Sequence, residues 1–184
     1  MTLSKEERQR RMRLPRHKMS EQDPIQRGQN FEEVNQGYPP DIAMAEAERC
    51  LDCANPRCVS GCPVHVKIPQ FIACIAAGNF LEAAQILHED NSLPAVCGRV
   101  CPQEEQCEKV CVLGVKGQPV AIGHLERFAS DYEREHGEMH LPTLPPSTGK
   151  RIAIIGAGPS GLTAAGDLLK YGHAVTIFEA LHVA

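Results

Sequence analysis

Eight of the nine cysteines fall into two tight groups, Cys50-x2-Cys53-x4-Cys58-x3-Cys62-Pro63 and Cys97-x3-Cys101-Pro102-x4-Cys107-x3-Cys111. This spacing limits the fold more than any other feature, because whatever the thiols hold becomes the centre the chain must wrap. Iron–sulfur clusters are bound by cysteine thiolates, usually four to a cluster. Counted motif by motif, the chain carries ligands for two [4Fe–4S] clusters, with Cys97 as a thiolate of the second. The gap before Cys62-Pro63 also matches the end of a ferredoxin-type run whose last cysteine serves the other cluster.

Other readings of the thiols fit less well. Structural zinc favours paired C-x2–4-C knuckles separated by a longer loop, and only Cys50-x2-Cys53 has the tight knuckle spacing. Disulfides suit secreted chains, but no apolar segment follows the basic first residues, as a signal peptide would require. A reducing cytoplasm is the expected compartment. The ninth cysteine, Cys74, sits in an apolar helical run and reads as a small core residue. A net charge of −4 suggests neither nucleic acid nor a membrane surface as partner. With no Trp and few aromatics, the core is modest and the metal centres act as internal staples. Metal-free protein is therefore expected to be loose in its middle region; a circular dichroism spectrum identical to that of the holo form would refute this.

The pattern along the chain is mainly helical. Residues 1–40 are read as an N-terminal arm whose first 18 residues are basic, solvated and partly mobile, or else dock on an acidic partner or another part of a larger protein. Residues 41–138 are read as the cluster-binding domain. Asp41 is expected to cap a helix that delivers Cys50. Residues 68–90 predict two helices broken at Gly78, with Asn79 and Glu82 as a capping-box-like start. Residues 120–136 predict another helix, carrying Leu125, Phe128 and Tyr132. No strand is expected before residue 151. A Pro-rich linker, 139–149, precedes a last segment, 150–184.

That last segment holds a second motif. Ile152–Ile155 is a short apolar strand, Gly156, Gly158 and Gly161 form G-x-G-x-x-G, a helix follows, and a second apolar strand ends at Glu179. In this context the glycine pattern is a dinucleotide-binding fingerprint. Gly156 allows the tight turn, Gly158 lets a pyrophosphate approach the main chain, Gly161 permits close packing, and Glu179 is expected to bond an adenosine ribose hydroxyl. FAD and NAD share the fingerprint. A βαβ unit alone cannot enclose a dinucleotide, so the chain is expected to be part of a longer protein and to bind FAD weakly or not at all. The fold class is mainly α: a helical ferredoxin domain followed by an incomplete α/β Rossmann βαβ unit.

Both motifs in this order, with Asn30-Phe-Glu-Glu-Val34, Ala47-Glu-Arg-Cys-Leu-Asp-Cys53, Cys97-Gly-Arg-Val-Cys-Pro102 and Ile122-Gly-His-Leu-Glu-Arg-Phe128, resemble the small (β) subunit family of NADPH-dependent glutamate synthase. The resemblance implies an α-helical ferredoxin domain ahead of FAD and NADPH domains. It implies hydride transfer from NADPH to FAD and single electrons leaving through the clusters to a glutamate synthase large subunit or a ferredoxin-like acceptor. It also implies that ligands cross between motifs. One cluster would take Cys50, Cys53, Cys58 and Cys111. The other would take Cys62, Cys101, Cys107 and Glu126, leaving Cys97 a bystander. No catalytic residue is expected within these residues. Alternatives are a ferredoxin:NADP oxidoreductase of the bifurcating kind, a sulfide dehydrogenase subunit, or an electron-transfer docking module without chemistry of its own. Homo- or hetero-oligomers are open to any of these. His65 and His124 lie near ligands and read as surface or hydrogen-bonding residues.

Overall fold

Residues 3–137 and 143–182 are described by the computed structural model. They form two compact units, residues 3–137 and 143–182. The first is helical and the second is a β-α-β unit, so the chain is mainly α with a short Rossmann-like end.

In the helical unit, α1 (Lys5–Arg11), α2 (Pro24–Arg27) and α3 (Pro40–Ala47) precede the first cysteine group. The basic arm is not a solvated tail. Arg8 Nη2 donates to the Asp52 carbonyl at 3.2 Å and Arg11 Nη1 to the Cys50 carbonyl at 2.9 Å. His17 N–H donates to buried Glu46 at 2.8 Å. The arm therefore docks on its own unit. Asp41 is not the N-cap of α3. Pro40 occupies the first helical position, where its missing N–H costs nothing and its φ is preset, so the helix starts one residue earlier and Asp41 lies in the first turn.

Beyond the short α4 (Arg57–Ser60) lie α5 (Ile68–Ala76) and α6 (Phe80–Asp90). α5 ends in a Schellman pair: Gly78 N–H reaches the Ile75 carbonyl at 3.0 Å and Asn79 N–H the Cys74 carbonyl at 2.9 Å. Asn79 stands at the N-cap position of α6 but forms no capping box. Its amide donates to the Glu82 carboxylate at 3.2 Å, so the two side chains satisfy each other rather than the helix N–H groups. Cys74 is half-buried at the edge of the core.

Two 3-10 turns, Gln103–Glu105 and Val112–Val115, separate α7 (Pro94–Val100) from α8 (Ile122–His136). Fully buried Phe71, Ile72, Ile75, Leu87 and Leu125 anchor the core, each contributing about 1.5–3 kcal/mol by burial. Phe80 packs edge-on against Phe128 and Tyr132. α7 and α8 approach closely at Gly98, where a Cβ would fall 2.6 Å from the Arg127 nitrogen. That approach carries the Cys97–Cys101 segment to α8.

In the second unit, β1 (Arg151–Ile155) pairs in parallel with β2 (Ala174–Phe178), Ile152 opposite Val175 and Ile154 opposite Ile177. α9 (Pro159–Lys170) crosses over between them. Residues 139–142 of the predicted linker lie outside the described residues. The linker's end joins this unit, since Thr148 N–H donates to the Gly172 carbonyl at 2.9 Å.

Candidate metal centres and phosphate loop

The first cavity gathers Cys50, Cys53, Cys58 and Cys111 within a wall of Leu51, Ile68, Ile72, Val120 and Ile122. Cys50 arrives just past the end of α3, Cys58 from α4, and Cys111 at the entry of the second 3-10 turn. Cys53 follows Asp52, a non-glycine residue with φ of 44°, a conformation uncommon outside turns and functional loops.

The second cavity is lined by Cys62, Cys97, Cys101, Cys107 and Glu126, with Asn91, Gln103 and Gln106 among its polar walls. Cys62 follows the end of α4, where Gly61 packs against Val110 and the Gln106 carbonyl. Cys58, within that short helix, lines the first cavity, and Cys62, two residues past it, lines the second. The structure thus brings together thiols from both sequence motifs in each cavity rather than one motif per cavity.

None of the nine cysteines forms a disulfide. Burial pushes the Cys50 thiol up to about 11, Cys58 to about 12 and Cys107 higher still, and it raises Cys53, Cys97 and Cys101. Thiols so shifted are poor nucleophiles. They become thiolates only against a strong local positive charge, which a bound metal supplies. Among the described residues, no three His, Cys, Asp or Glu side chains converge closely enough to hold a single ion. The donor sets, four thiols in one cavity and four thiols with a carboxylate in the other, are of the residue types that bind iron–sulfur clusters.

The structure adds residues that spacing alone did not indicate. Asn91 donates through Nδ2 to Glu126 Oε1 at 2.8 Å, both side chains being buried. Burial raises the Glu126 carboxyl to about 7. Gln106 Oε1 accepts from Cys101 Sγ at 3.0 Å. His124 packs edge-on against Tyr38 and bonds its hydroxyl at 3.1 Å, while His65 bonds the Val59 carbonyl. No periodicity marks Asn91 or Gln106; the basic run at the N-terminus was the one visible signal for Arg8 and Arg11.

In the second unit, Gly156 has φ of +99°, which only glycine adopts readily. A Cβ on Gly161 would sit 2.1 Å from the Gly156 carbonyl oxygen. At Gly158, the N-cap of α9, an added Cβ would meet nothing within 4 Å. Glu179 accepts from Ala157 N–H at 2.8 Å and Leu181 N–H at 2.9 Å, so its carboxylate ties the end of β2 to the glycine loop. These N–H groups hold its carboxyl below the usual range.

Residues 27–138 match the family model for dihydropyrimidine dehydrogenase domain II, 4Fe-4S cluster, and residues 154–184 match that for the NAD(P)-binding Rossmann-like domain. The chain is 42% identical over 153 residues to the glutamate synthase [NADPH] small chain of Halomonas elongata, covering 83% of this chain and 32% of that one. It is 42% identical over 149 residues to the corresponding small chain of Escherichia coli K12, covering 81% and 32%. It is 40% identical over 153 residues to the NAD-dependent dihydropyrimidine dehydrogenase subunit PreT of Escherichia coli O157:H7, covering 82% and 37%. The chain spans about a third of the length of these relatives.

Proposed function

The chain belongs to the dihydropyrimidine dehydrogenase domain II, 4Fe-4S cluster family, as the N-terminal region of a glutamate synthase small-chain-like oxidoreductase, and from that premise we propose that it is the electron-exit portion of an iron–sulfur flavoprotein fed by NADPH. The observation that carries the reading is the pair of thiol-lined cavities within one helical frame. In the whole protein, FAD would accept hydride and two [4Fe–4S] clusters would pass single electrons on.

The residues present have defined tasks. Cys50, Cys53, Cys58 and Cys111 would hold one cluster, and Cys62, Cys101, Cys107 and Glu126 the other. Leu51, Ile68, Ile72 and Ile122 are buried against the first set and would limit water there, which would strengthen electrostatic interactions. Gly156, Gly158 and Gly161 shape the loop that would seat the FAD pyrophosphate at the N-terminus of α9, with Glu179 at its rim. The proposed acceptor is a glutamate synthase large subunit, in the cytoplasm. Among the described residues, no helix is long and apolar enough to cross a membrane.

Iron and acid-labile sulfide content with electron paramagnetic resonance (EPR) on anaerobically purified protein is the test. About eight irons and eight sulfides per chain support two [4Fe–4S] centres; zinc without sulfide ends the electron-carrier reading. The 40% identity to a dihydropyrimidine dehydrogenase subunit favours a second acceptor, a pyrimidine-reducing partner. The full-length protein, reduced by NADPH and then mixed with each partner, separates the two by which one reoxidises the clusters.

A further inference from the structure

We infer that Asn91 is a positioning residue that selects Glu126 over Cys97 as the fourth ligand of the second centre. The inference rests on the cluster reading above and deepens it.

Asn91 closes α6 at the wall of the second cavity and is buried. Its amide orientation is fixed by the backbone. Leu93 N–H donates to Asn91 Oδ1 at 3.0 Å, and the flipped amide would set a donor against a donor. Nδ2 must therefore be the atom facing Glu126 Oε1 at 2.8 Å. A donor held there fixes the Glu126 side chain through one oxygen and leaves Oε2 free of that bond. The same Oδ1 lies 3.7 Å from Cys97 Sγ, which donates to it, so the Cys97 side chain is turned to Asn91 as well. One side chain thus holds the carboxylate in place and engages the competing cysteine. Gln103 reinforces the arrangement, donating to the Cys97 carbonyl at 2.9 Å.

The test uses the anaerobically purified holoprotein, with iron and sulfide analysis and EPR of both centres. In the wild-type background, Cys97→Ser is expected to keep the second centre while Cys101→Ser loses it. Asn91→Leu removes both the donor to Glu126 and the acceptor for Cys97. Its expected result is an altered spectrum for the second centre and an unchanged first, with the second centre now lost when Cys97→Ser is added. A wild-type spectrum that survives Cys97→Ser in this variant would overturn the inference. If Asn91→Leu loses the second centre, the exchange Asn91→Asp with Glu126→Gln decides. The introduced aspartate keeps an acceptor for Leu93 and Cys97, and the introduced glutamine restores a donor–acceptor pair in reverse. Recovery of the second centre by the exchange, with Asn91→Asp alone lacking it, supports the inference; failure to recover overturns it. A second centre lost with Cys97→Ser and unchanged by Glu126→Ala in the wild-type background would instead refute the Glu126 ligand itself, a separate outcome.

Discussion

The two cavities share one helical frame but differ in what surrounds their thiols. The first has four cysteines in a mostly apolar wall in which Arg57 is the charged residue, and further polar support comes from outside, where Arg8 and Arg11 hold the backbone carbonyls of Asp52 and Cys50. The second has its polar groups inside: Glu126, Asn91, Gln103 and Gln106. Potentials of iron–sulfur centres follow net charge, hydrogen bonding and solvent exposure. Both ligand sets carry four anionic donors, so the guanidinium groups at the rim of the first should place it at the higher potential. The difference teaches that cysteine count sets the number of centres and the neighbouring polar residues set their character.

The comparison breaks most completely at what the two sites share. Glu46, fully buried, accepts from Arg49 at 2.6 Å, from His17 N–H at 2.8 Å and from Ala121 N–H at 2.9 Å. It joins the arm beside the first cavity to the entry of α8, which carries Glu126. Glu46→Ala would leave Arg49 buried without its partner, a cost of about 3–5 kcal/mol. Both centres should be lost together, with a lower urea midpoint at unchanged slope. Survival of either centre at wild-type occupancy would show that the cavities are supported independently.

A smaller effect distinguishes the cavities by their ligands. Cys111→Ser should abolish the centre with Cys50, Cys53 and Cys58 and remove about half the iron, leaving the second spectrum intact. Cys62→Ser should do the converse, although each residue belongs by sequence to the other motif. If Cys111→Ser instead damages the centre containing Cys101 and Cys107, grouping by motif is right and the crossed grouping wrong.

Much of this architecture was legible in the sequence. The α5–α6 break at Gly78, the helix through Leu125 and Phe128, and the β-α-β end all follow from local pattern: periodicity, a turn glycine and a glycine fingerprint. What stayed hidden depends on tertiary geometry. Asp41 lost the cap because two prolines had already started the helix. Asn91 and Gln106 gave no signal, because a polar residue at the end of a helix has no periodicity to break and only the folded cavity reveals its partner. The full crossed set of thiols was expected from the resemblance; spacing pointed only to Cys62 serving the other centre, since the partner of Cys111 is set by the folded cavity. The arm's basic residues were visible, but their targets are carbonyl groups, which no sequence pattern marks.

The arm supplies the smallest effect and the most specific one. Burial raises the Cys53 thiol, and the Arg8 charge works against that shift, so this guanidinium is felt at the first cavity. A nearby cation stabilises the more negative, reduced state of a centre, so its removal lowers the potential. Arg8→Gln with Arg11→Gln should shift the midpoint potential of the first centre downward and leave the second in place, with iron content unchanged. Because Arg8 is only half-buried, added salt should screen the wild-type charge and narrow the gap between wild type and variant. A redox titration followed by EPR at low and high ionic strength measures both effects. Equal shifts in the two centres would place the arm's influence on the fold as a whole. A first-centre shift insensitive to salt would assign it to the lost hydrogen bonds on the Cys50–Cys53 loop rather than to charge.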